Sequence, residues 1–198
     1  MRTNIPLLWS VIIIGAVGIV CAAMIIFFAD PHVTQGPGDV TSTLVSTTTV
    51  GLPTILIIPA IDVDAAIAPV GLTAAGVMGV PVGPTSTTWF DLGPRPGEIG
   101  SAVIAGHEGW KDGIAAIFDN LYELRPGDKI HIIDNQGVTM TFVVRALKLY
   151  DQNADAASVF SSSDGKAHLN LITCEGTWSA AQKSYSNRLV VFADEAVE

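Results

Sequence analysis

His168-Leu169-Asn170-Leu171-Ile172-Thr173-Cys174 is a short run of β-favouring residues that ends on a thiol and passes into the turn-like Glu175-Gly176-Thr177-Trp178. Similar runs, each bounded by Gly, Pro, Asn, Asp or Ser, recur at Leu56 to Ile61, Ala66 to Val70, Ser101 to Ala105, Lys129 to Ile133, Thr139 to Leu149 and Arg188 to Ala193. Val, Ile, Thr and aromatic enrichment over such short lengths marks strands. Helical spacing is confined to Ile114 to Leu121, where Ile114, Ile117, Phe118 and Leu121 recur three and four residues apart. Seven or eight short strands with so little helix must hide their edges, and a closed barrel does so completely. The expected fold class is therefore all-β with one or two short helices, a closed β-barrel. No repeat of 20 to 50 residues is visible, which excludes propellers and solenoids. The polar stretch Asp151 to Lys166 lies between two strand runs, and a loop of that length in a compact domain is usually functional or disordered.

The 198-residue chain divides into three parts. Leu7 to Ala29 is an uncharged apolar block whose helix, at about 1.5 Å rise per residue, would be roughly 34 Å long and cross a hydrocarbon core of about 30 Å. It is too long for the apolar region of a cleaved signal peptide. Residues 1–29 thus read as a short cytoplasmic start and a transmembrane signal anchor. Arg2 precedes the span and acidic residues follow it, so the positive-inside rule puts the N-terminus in the cytoplasm and the remainder outside, a single-pass protein of the cell membrane. Residues 30–53, rich in Ser, Thr, Gly and Pro, form a flexible spacer, and residues 54–198 form the barrel domain. The net charge of −9 and the lack of a basic stripe argue against nucleic acid as a partner.

Cysteine usage narrows the chemistry. Cys21 lies in the apolar block and reads as a small apolar residue, leaving Cys174 as a lone thiol in an exported domain. At a strand end a side chain is held by the sheet yet reachable from solvent. His107, in Gly106-His107-Glu108-Gly109-Trp110, follows the strand Ser101 to Ala105 and would occupy a similar place. A thiol of ordinary pKa about 8.5 needs a nearby base or cation to react at neutral pH, and an imidazole supplies either. Arg188 opens the last strand run, and if that run pairs with the Cys174 strand its guanidinium can stabilise a developing oxyanion. His32 lies in the spacer, while His131 and His168 lie within strand runs and read as structural. No calcium-loop spacing occurs and Asp151, Asp155 and Asp164 are widely separated, so neither metal nor cofactor is expected.

The order His, Cys, Arg opposes a papain-like enzyme, and the caspase signature is missing. It resembles the sortase family. Leu171-Ile172-Thr173-Cys174 is similar to the sortase T-L-x-T-C signature, Ala105-Gly106-His107 to the sortase histidine motif, and Arg188 to the arginine of the following strand. Ile57 to Ala65, Gly93 to Ser101 and Leu124 to Ile130 add further sortase-like stretches, so the resemblance covers roughly Ile55 to Ala193. Asn170 departs from the pattern, standing where many sortases have Thr, which bears on the subgroup and not on the activity; the resemblance as a whole is to a subgroup outside class A, of class E or F type. Asp30-Pro31-His32 resembles the lid motif of pilin-polymerising sortases only faintly and abuts the apolar block, which weighs against a lidded enzyme.

The resemblance implies an eight-stranded barrel and a cysteine transpeptidase. Such an enzyme cuts an LPXTG-like sorting signal after Thr, holds the protein as a thioacyl-enzyme and passes it to an amine, either a peptidoglycan precursor or a pilin lysine. By carry-over Cys174 is the nucleophile, His107 protonates the leaving amine and Arg188 stabilises the carbonyl oxygen. Thr173, the backbone N–H of Glu175 and the loop Asp151 to Lys166 would contact substrate. Partners would be surface proteins bearing the signal, the amine acceptor, and the membrane through residues 7–29. Two alternatives remain at this stage: another cell-wall thiol acyltransferase, although L,D-transpeptidases carry a His-Gly pair near the cysteine where this chain has Ile172-Thr173, and a non-catalytic anchored binding module.

Overall fold

The computed structural model describes residues 49–181 and 184–196. Residues 1–29, most of the spacer, Cys21 and His32 lie outside the described residues, and so does the anchor reading. No helix among the described residues is long and apolar enough to cross a membrane.

Eight strands form: β1 Pro53–Ile58, β2 Val63–Val70, β3 Thr87–Phe90, β4 Gly100–Gly106, β5 Lys129–Asp134, β6 Thr139–Asp151, β7 Ala167–Ser179 and β8 Ser184–Glu195. They close in the order β1-β2-β3-β4-β7-β8-β6-β5, with β5 returning to β1. Most neighbours are antiparallel, but β2 and β3 run parallel, and so do β4 and β7. The second parallel pair matters for function, because it carries the C-terminal ends of β4 and β7 to the same rim.

Strand alternation divides the side chains cleanly. Leu56, Ile104, Ile130, Phe142, Leu169, Leu171 and Val191 point inward and form the main core. A smaller cluster lies outside the barrel wall, where Val159, Val190 and Phe192 gather with Phe160 and Ile172. This outer cluster is made by the β6–β7 connection, which folds back over β7 and β8. It holds one turn of helix, α1 Ala157–Phe160, whose Phe160 meets Phe90 of β3 edge-on at 5.5 Å between ring centres.

Three expectations need correction. The helix expected at Ile114 to Leu121 is absent: 3-10 turns occur at Lys111–Gly113 and Leu121–Glu123, and Phe118 and Leu121 are buried from a segment that is mostly irregular. The apolar spacing there reflects a loop that packs Ile117, Phe118 and Leu121 on the core, while Ile114 is exposed. The strand β3, Thr87-Thr88-Trp89-Phe90, was not expected; at 4 residues it is too short for alternation to stand out. Finally, the strand carrying Cys174 does not end there but continues as β7 to Ser179, with an irregularity between Glu175 and Trp178 opposite β8. Gly176, at φ 91°, supplies the left-handed backbone conformation that this bulge requires.

Candidate active site

Cys174 lies directly opposite Arg188 in the β7–β8 ladder. Side chains of opposed residues stand on the same face, and alternation places Cys174 with Asn170 and Ile172 on the outer wall of the barrel. A cleft of about 670 Å³ runs along that wall, and Cys174, Arg188, Ile172 and Val190 all border it. One flank is the segment between β2 and β3, through Leu72, Val77 and Met78; the other is the β6–β7 connection, through Gln152, Ala156 and Phe160. The lining is largely apolar, and Cys174, Arg188, Asp151 and Gln152 supply its polar side chains.

Asn170 explains how the second flank is held. It is buried, and its Nδ2 donates to the Val159 carbonyl at 2.6 Å, fastening α1 to β7 two residues before Ile172. A threonine at this position lacks the amide N–H that makes this link.

His107 reaches the site from β4. The β4–β7 pairing runs from Gly100 with Ala167 to Ala105 with Ile172 and β4 ends at Gly106, so the chain leaves the sheet at His107 near the end of the Cys174 strand, although His107 is not among the residues that border the cleft. The register is held to its end by Thr173, whose Oγ1 donates to the Gly106 carbonyl at 2.9 Å. Gly106 has to be glycine: a Cβ there would lie 2.4 Å from the Phe118 ring. The imidazole packs edge-on against Trp110 at 4.8 Å, and its Nε2 lies 2.9 Å from the Pro81 carbonyl. A carbonyl only accepts, so Nε2 carries the proton in this contact and Nδ1 is the ring nitrogen left for exchange.

Burial pushes the Cys174 thiol above its ordinary range; the Arg188 charge lowers it and the Glu108 charge raises it. The guanidinium is itself positioned by acceptors on its own strand, with Nη1 donating to the Tyr185 and Asn187 carbonyls at 3.1 and 2.8 Å and Nη2 to Ser184 Oγ at 3.0 Å. Among the described residues no carboxylate forms an ion pair with Arg188.

Other expected residues fall elsewhere. Thr173 is buried, its hydroxyl engaged with Gly106, and it does not border the cleft; its part is to tie the two strand ends together. Glu175 remains in the ladder opposite Asn187 instead of opening a turn. The stretch Asp151 to Lys166 contributes several cleft residues. His131 bonds Thr141 Oγ1 at 3.0 Å within the sheet, and His168 is buried at the far end of β7 between Asp164 and Asp194. The sequence reading missed the β2–β3 flank, Trp110 and Glu108. Burial, with the charges of Glu175 and Asp119 adding to it, raises the Glu108 carboxyl to about 7. Its sequence signal was available: an acid placed directly after His107 in a glycine-flanked loop.

Residues 56–196 match the sortase domain family. The chain belongs to the sortase family. It is a cysteine transpeptidase, as the family's chemistry requires. Among solved structures it is similar to the lid mutant of sortase A from Corynebacterium diphtheriae, with 26% identity over 74% of this chain and 71% of that one and a TM-score of 0.57. Sortase C-1 from Actinomyces oris shares 21% identity over 73% of this chain and 74% of its own, at a TM-score of 0.58, and the sortase D5 transpeptidase of Clostridium perfringens 22% over 74% and 79%, at 0.54. At those last identities the likeness is one of fold. No curated protein sequence matches the chain.

Proposed function

We propose that this sortase cleaves an LPXTG-like sorting signal on a surface protein, holds the protein as a thioacyl on Cys174 and transfers it to an amine acceptor, a cell-wall precursor or a pilin lysine. The observation that carries the reading is the opposition of Cys174 and Arg188 on the wall of an apolar cleft, with the strand that leads into His107 paired in parallel with the Cys174 strand. The apolar cleft suits the Leu and Pro side of such a signal. Cys174 attacks the threonine carbonyl carbon as its thiol proton passes to Nδ1 of His107, Arg188 donates to the developing oxyanion, and His107 hands that proton to the departing amine as the C–N bond breaks.

Anchoring by residues 7–29, with the barrel on the outer face of the cell membrane, would bring the enzyme to substrates and acceptors that meet there. Incubating residues 50–198 with a library of sorting-signal peptides and amines tests the assignment. Cleavage and amine-dependent product for one signal class is the expected result. Cleavage indifferent to the Leu and Pro positions would contradict the role given to the cleft.

A further inference from the structure

The incoming amine poses a proton problem of its own. A primary alkylamine such as a lysine side chain, of ordinary pKa about 10.4, arrives as an ammonium and has no lone pair for attack until a base takes one proton. The acyl half of the substrate, in the proposed reading, fills the cleft on one side of Cys174. The nucleophile must then approach from the other side, where the chain following β4 meets β7 and β8. Glu108 lies on that segment and does not border the cleft. It follows His107 directly, in the bend after β4, close enough to Glu175 and to Cys174 for their charges to act on one another. The next residue, Gly109, has its N–H bound to Asp119 Oδ1 at 2.7 Å, and a Cβ built on it would lie 3.0 Å from the Tyr185 hydroxyl. Glu108 Oε2 is buried without a hydrogen-bond partner. An unpaired buried carboxylate oxygen is costly to keep unless it receives a donor at some stage of the reaction.

We propose that Glu108 is the catalytic base for the acceptor, taking a proton from a cationic primary amine on the side of Cys174 away from the acyl cleft. This rests on the transpeptidation reading above and names its acceptor class. The step balances: one ammonium proton passes to the Glu108 carboxylate, the freed nitrogen lone pair forms the C–N bond, the C–S bond breaks, and the second departing proton reaches the Cys174 sulfur through His107. Amide, thiol and neutral Glu108 result.

The electrostatic setting suits the task. Burial first, then Glu175 and Asp119, raise the Glu108 carboxyl to about 7, so both protonation states are populated under working conditions. Glu108 raises Cys174 and Tyr185 in turn, which places all three groups within one another's field, with Arg188 opposing at the thiol. Lys111 and Asp112 lie on the turn that follows.

The test separates the two half-reactions in the full-length enzyme. Rates of acyl transfer are measured per trapped thioacyl-enzyme, so that misfolded material drops out, for wild type and Glu108→Gln, with a lysine amide and with weakly basic hydroxylamine, which is already neutral near pH 7. For the lysine amide, Glu108→Gln is expected to lose about 10² in rate or more, and the rise in rate through pH about 7 should disappear. Transfer to hydroxylamine should stay within a few fold of wild type. Acylation of the variant should begin at lower pH, because one cause that raises the Cys174 thiol is gone. Equal losses with both nucleophiles, or none with the lysine amide, would overturn the proposal while leaving acylation intact. Absence of a thioacyl-enzyme in the wild type would instead overturn the transpeptidation reading, and this proposal with it.

Discussion

Arg188 tests whether charge or geometry matters at the thiol. Its guanidinium is oriented by three acceptors and lowers the Cys174 thiol against the stronger effect of burial. Lysine would retain the charge but not the planar set of donors. Arg188→Lys is therefore expected to acylate nearly as slowly as Arg188→Ala, each with a loss of roughly 10² to 10³, measured by trapping the thioacyl-enzyme. The two variants should part company in thiol alkylation: the Ala variant needs higher pH than wild type, since the one opposing charge has gone, whereas Lys keeps part of the effect. His107→Ala should lose at least about 10² in cleavage rate, in line with general acid contributions, while His168→Ala should lose much less. A dead His168→Ala variant of unchanged fold would contradict the placement of the acid.

Elements explain how the site was legible and where it was not. Cys174, His107 and Arg188 could be named from sequence because each sits beside a run of β-favouring residues whose ends are marked by turn residues. Parallel pairing of β4 with β7 depends on contacts far apart in the chain, and no local pattern encodes it. For the same reason the β2–β3 flank stayed invisible: Leu72, Val77 and Met78 lie among glycines and turns and acquire meaning only beside the outer wall. Asn170 was seen as a departure from the family pattern, and only the fold supplies its physical role. Asn170→Ala leaves the Val159 carbonyl unpaired in a buried setting, which costs about 1–3 kcal/mol. The expected result is a lower Tm together with a higher KM for the sorting peptide, because α1 forms one flank of the cleft. A loss of stability with unchanged KM would separate α1 from substrate binding.

At the scale of the whole molecule, barrel closure sets how the protein responds to acid. Asp134 ends β5 and accepts from Gly51 N at 3.1 Å and from Gln136 and Val138 N at 2.8 Å, joining the entry to β1 with the β5–β6 turn. Burial works to raise its carboxyl, but the backbone donors of Val138, Gln136, Gly51 and Gly137 outweigh it and leave the group below its ordinary value. A depressed folded-state pKa gives stability that is fully present above the unfolded value of about 3.9 and is lost as pH falls through the folded one. Thermal melts should show Asp134→Asn less stable than wild type at neutral pH, the gap narrowing below pH about 4. A gap that does not change with pH would assign the difference to lost hydrogen-bond geometry alone.

The central claim is that Cys174 carries the acyl group through the cycle. Mass spectrometry of the enzyme quenched during turnover of a sorting-signal peptide tests it most directly. The expected result is an adduct with the mass of the peptide's acyl portion on the Cys174-containing fragment, lost on adding amine and never formed in Cys174→Ala. Amine-dependent product from Cys174→Ala at a rate near wild type would contradict the account.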